Sequence, residues 1–70
     1  MRGGETMHEN LEKKIRESGI KKTILADKLE ITLTSFNNKM SGRTAFYVHE
    51  AFKLMSILGI NENEMSFYFG

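Results

Sequence analysis

Apolar residues recur at helical intervals along most of the chain, and capping residues and glycines cut the pattern into short pieces. Leu11 and Ile15 stand four apart, Leu25 and Leu29 four apart, and Phe36 and Met40 four apart. Each pair defines one buried side of a helix. Thr6 followed by Glu9 has the form of a capping box, so the first helix is expected to start there. It should end at Ser18 and Gly19, where glycine supplies the left-handed turn a helix C-terminus favours. A second, shorter helix is expected from Lys22 to Leu29, with Ala26 small enough for close approach of a neighbour. Glu30, Ile31 and Thr32 form a turn. Thr32 caps a third helix that begins at Leu33 and closes at Gly42.

Beyond Phe46 a longer amphipathic helix is expected from about Tyr47 to Leu58, with Val48, Phe52 and Met55 in one inward stripe, Ala51 and Leu58 beside it and Gly59 as its stop. Asn61 and Glu64 form a second capping box that opens a short last helix carrying Met65, ahead of Phe67, Tyr68, Phe69 and Gly70. No strand pattern competes, so the fold class is all-α, a compact five-helix bundle. Residues 1–5, with Arg2, Gly3 and Gly4, are expected to form a disordered tail, and residues 6–70 a single domain.

Composition narrows what such a domain does. Seventy residues leave little room for a deep catalytic cleft beside a core, so a binding surface is expected rather than an enzyme. There is no cysteine, hence neither a disulfide nor a thiolate zinc site, which suits a reducing cytoplasm. No apolar run approaches the about 20 residues of a membrane span, and Met1 to Thr6 lacks the pattern of a secretory signal. His8 and His49 are the only histidines. They are far apart and lack a closely spaced carboxylate pair, so they read as surface residues and no metal or other cofactor is called for. Glu9, Glu12 and Glu17 alternate with Lys13, Lys14 and Arg16 in the manner of a solvated, ion-paired face. The methionines at helical positions read as core filler.

Net charge is only +1, but it is unevenly spread. Lys21, Lys22, Lys28, Lys39 and Arg43 face only Asp27 and Glu30 within their stretch, a local excess that attracts a polyanion. In the same stretch the third helix presents Thr34, Ser35, Asn37, Asn38 and Ser41 on its outer side. Threonine, serine and asparagine are poor helix formers, so their concentration asks for a reason other than helix stability. Short polar side chains suit close approach to base edges, where asparagine pairs bidentately with adenine. Lys21, Lys22, Lys39 and Arg43, with the hydroxyls of Thr32, Ser35, Ser41 and Thr44, are expected to meet flanking phosphates, and the helix N-termini at Lys22 and Thr32 add backbone donors.

The stretch ILADKLEITLTSFNNKMSGRT, Ile24 to Thr44, resembles the helix-turn-helix of phage Cro and repressor proteins. Leu25, Ala26, Leu29, Ile31, Phe36 and Gly42 fall on that family's structural positions without gaps. The likeness runs over about Leu11 to Met65, and the aromatic ending is similar to small regulators of phages of Gram-positive bacteria. The resemblance implies a transcriptional repressor whose third helix enters the major groove of double-stranded DNA at a palindromic operator. Base-reading places fall on Leu33, Thr34 and Asn38, with Asn37 close by; phosphate-binding places fall on Lys21, Lys22, Ser41 and Arg43. It also implies a homodimer: Met65, Phe67, Tyr68 and Phe69 either add an edge to the core or form the dimer contact, and the resemblance favours the contact. The rival is a protein-interaction module of the same fold that binds another regulator.

Four positions depart from the family pattern, one of them Tyr47, which stands where related sequences often carry a capping serine or threonine and leaves the start of the fourth helix open by a residue or two. Leu33 replaces a polar residue and either touches a thymine methyl or packs against Phe36, packing being preferred. Glu30 stands where glycine is usual, so the backbone is strained by about 1–2 kcal/mol or the turn differs. Lys39 occupies a commonly apolar place, with Met40 beside it to take over the packing.

Overall fold

A computed structural model describes residues 8–69. The expected tail of residues 1–5, Thr6 as half of the first capping box, and Gly70 lie outside them. The described residues form five α-helices and no strand: α1 Glu9–Ser18, α2 Lys22–Lys28, α3 Leu33–Ser41, α4 Val48–Leu58 and α5 Met65–Phe69, the last preceded by a 3-10 turn, Glu62–Glu64. The body measures 30 × 24 × 23 Å. None of these helices is long and apolar enough to cross a membrane.

The core follows the helical pairs closely. Leu11, Ile15, Leu25, Ala26, Leu29, Phe36 and Met40 are all buried, and α2 packs against α3 while α1 packs against α4 and α5. The helix ends are equally local in origin. Ser18 Oγ donates to the Ile15 carbonyl at 2.6 Å and accepts from the Ile20 N–H at 3.1 Å, closing α1. At Asn61, the N–H donates to the Glu64 carboxylate at 3.3 Å, the carboxylate half of the expected box. α5 then runs through Phe67, Tyr68 and Phe69 instead of ending before them.

α4 departs from expectation. Two of the three residues of the expected stripe do not face inward: Val48 is 65% and Phe52 43% exposed, while Met55 is buried as expected. Ala51, Leu54, Met55 and Leu58 fill the core instead, with Glu50 on the same side. The helix is rotated by roughly a quarter turn from the expected phase, taking 100° per residue. The reason is Glu50, whose carboxylate has a partner inside the fold.

Candidate nucleic-acid interface

Two short helices and a tight turn build the candidate surface. α2 ends in a Schellman arrangement: the Ile31 N–H donates to the Ala26 carbonyl and the Glu30 N–H to the Asp27 carbonyl, both at 3.0 Å. That geometry needs a left-handed residue between them. Glu30 takes the position with φ 62°, the one non-glycine positive φ among the described residues, so the turn keeps its shape and carries the strain. Ile31 folds back onto the core. Thr32 then caps α3, its Oγ1 accepting from the Ser35 N–H at 3.0 Å.

α3 has two distinct sides. Phe36, Lys39 and Met40 are buried; Leu33, Thr34, Asn37 and Ser41 are exposed. At 100° per residue these last four share one face, with Leu33, Asn37 and Ser41 in a single row one turn apart. Asn38 and Ser35 are half-buried at its flanks. At the far end the Asn38 carbonyl accepts from Ser41 Oγ at 3.1 Å, from the Arg43 N–H at 2.9 Å and from the Thr44 N–H at 3.3 Å. Arg43 and Thr44 are thus fixed at the end of α3, both exposed. Lys21, at the N-cap of α2, is exposed as well.

Two of the expected phosphate contacts are placed differently. Lys22 lies 2.9 Å from the Glu12 carboxylate on α1, so Glu12 pairs across helices rather than within α1. Lys39 is withdrawn from the surface altogether, at 5% exposure. It sits on the Phe36–Met40 side of α3, where its Nζ lies 3.1 Å from Glu50 Oε1, donates to the Ala45 carbonyl at 3.1 Å and rests 4.6 Å above the Tyr47 ring. Lys39 is therefore corrected from a phosphate contact to an internal tie between α3 and α4. The Glu50 carboxylate also accepts from the Tyr47 N–H at 2.9 Å, so it anchors the start of α4 as well. A single sign pointed here, the charged residue at a commonly apolar place; its partner Glu50 carried none.

The aromatic tail divides. Met65, Tyr68 and Phe69 are half-buried against the core, and only Phe67 projects, 61% exposed. Of the histidines, both expected at the surface, His8 is half-buried at the N-cap position of α1, its ring 5.4 Å from Phe46 and 6.1 Å from Phe69, and His49 is exposed and stacks on Tyr47 at 5.9 Å.

Searches of protein-family models, curated proteins and solved structures gave no match to this chain.

Proposed function

We propose that this protein is a helix-turn-helix transcriptional repressor that occupies a DNA operator through α3 in the major groove. The observation that carries the reading is the exposed row on α3, short and polar except for Leu33, on a helix anchored underneath by Phe36, Met40 and the Lys39–Glu50 pair. A helix whose outer side chains are small brings its backbone close to base edges, and asparagine has the paired donor and acceptor that adenine requires. Lys21 and Arg43, exposed at the two ends of the motif, would neutralise phosphates on either side. Asn37 stands in the middle of the row, so it takes the central base-reading role, with Thr34 beside it and Asn38 at the margin.

A palindromic operator calls for two copies, with half-sites about 34–36 Å apart. Two bodies of 30 × 24 × 23 Å in contact have centres about 23–30 Å apart, so the two α3 helices would have to lie outward of the centres to meet that spacing. Outside the α2–α3 motif, Tyr47, Val48, Phe52 and Phe67 are the large apolar side chains exposed among the described residues and available for that contact. The same residues favour the second reading, a module that binds another regulator, because they leave large apolar side chains exposed outside α2 and α3.

One experiment separates the two. Duplexes selected by the full chain from a random-sequence library are titrated at two salt concentrations against unselected DNA. Preferential, salt-dependent binding, two chains per duplex, is expected. In that assay Asn37→Ala should weaken binding to the selected duplex by about 1–3 kcal/mol and leave unselected DNA almost unaffected, whereas Arg43→Ala weakens both and reduces the salt slope by about one. Failure to enrich any sequence, from a folded sample, would favour the protein-interaction module.

A further inference from the structure

The exposed row on α3 opens with an apolar residue. Leu33, the first residue of the helix, is 40% exposed, so it is not the core residue that packing against Phe36 would make it. Phe36 is itself fully buried among Leu11, Leu25 and Leu54, and the core does not depend on Leu33. The backbone that carries it is held on both sides of the cap: Thr32 Oγ1 accepts from the Ser35 N–H at 3.0 Å and the Thr32 carbonyl from the Phe36 N–H at 2.9 Å.

Resting on the DNA-binding reading above, we infer that Leu33 covers the 5-methyl group of a thymine in the major groove, close to the adenine read by Asn37. A leucine side chain has no donor or acceptor, and the thymine methyl is the apolar group that the bases present in that groove. Set against the N4 amino group of cytosine or the O6 and N7 of guanine, the same side chain would remove water without replacing its hydrogen bond, which penalises those bases. Spacing favours the pairing. Leu33 and Asn37 are four residues apart on one side of α3, about 6 Å along its axis, and successive bases on a strand rise about 3.4 Å. The thymine therefore lies one or two base steps from the adenine, and the half-site contains a short A·T-rich run. Leu33 discriminates by shape and desolvation where Asn37 discriminates by hydrogen bonds.

The test removes the methyl group alone. Each thymine of a selected duplex is replaced in turn by deoxyuridine, and binding of the full chain is titrated. Wild type should lose about fourfold in affinity at one position per half-site, the loss that goes with one buried methyl-sized group, and little elsewhere. Leu33→Ala should bind the thymine duplex more weakly, and it should no longer distinguish thymine from uracil at that position. A urea-unfolding midpoint close to that of wild type shows that the fold of this variant is intact. Indifference of wild type to every thymine-to-uracil replacement would overturn the inference while leaving sequence-specific binding in place. So would discrimination that survives in Leu33→Ala. Absence of any selected sequence would overturn both the inference and the reading beneath it.

Discussion

Glu30 shows how far a single residue can be read in advance. Its place after α2, between two apolar residues that must both turn inward, calls for a left-handed conformation, and φ there is 62°. A side chain in that region costs about 1–2 kcal/mol. Glycine would remove that cost while raising the entropy of the unfolded chain by about 0.4–1 kcal/mol in free-energy terms. Glu30→Gly should therefore stabilise the protein by up to about 1 kcal/mol in urea unfolding, and Glu30→Ala should bring no comparable gain. A lower midpoint for the glycine variant would mean that Glu30 makes a compensating contact. Lys39 was legible only as an anomaly, because its partner comes from another helix. Removing one member of a buried pair leaves the other charge without compensation, at about 3–5 kcal/mol. Lys39→Met and Glu50→Gln are each expected to destabilise by that order, and the double variant by less than the sum of the two. Additivity in this double-mutant cycle would show that the 3.1 Å pair is not coupled energetically.

At the scale of elements, α2 and α3 could be read from the chain almost to the residue, since Thr32 and Gly42 mark their limits by local chemistry that tertiary packing does not override. The face of α3 was legible in part: Thr34, Asn37 and Ser41 are exposed as expected, whereas Ser35 and Asn38 are half-buried and Leu33, expected to pack on Phe36, heads the exposed row. α4 was not legible. Val48, Ala51, Phe52, Leu54, Met55, Ile57 and Leu58 spread apolar surface over more than half of its circumference, so periodicity alone leaves its rotation open. What settles the rotation is a polar contact, Glu50 turned toward Lys39, which brings Leu54 to full burial and leaves Phe52 outside. The two phases give opposite mutational patterns. Leu54→Ala should cost about 2–5 kcal/mol of stability as a fully buried truncation, whereas Phe52→Ala, at a half-exposed site, should cost well under that. Thermal or urea unfolding of the two variants decides between them; equal losses would mean that Phe52 is buried in solution, by the other phase or by a second chain.

Taken whole, the molecule closes where its two ends meet. His8 at the head of α1 lies against Phe46 from the segment before α4 and Phe69 from the last helix, so one ring joins the beginning, middle and end of the described chain. Burial lowers the pKa of His8 below its ordinary 6.5, the first cause; a hydrogen bond with the Tyr68 backbone acts the other way and does not cancel it. The sign of the consequence is fixed. Between the lowered folded value and 6.5 the unfolded chain binds more protons than the folded one, so stability rises with pH across that window. His8 contributes its full share above pH 6.5, and that share is lost as pH falls toward the folded value. Melting midpoints measured from pH 8 down to pH 5 should therefore fall through the histidine range in the wild-type chain. In His8→Gln that part of the decline should disappear, while in His49→Gln it should persist. If the decline instead survives in His8→Gln, the closure of the fold around His8 is not what the proton opposes.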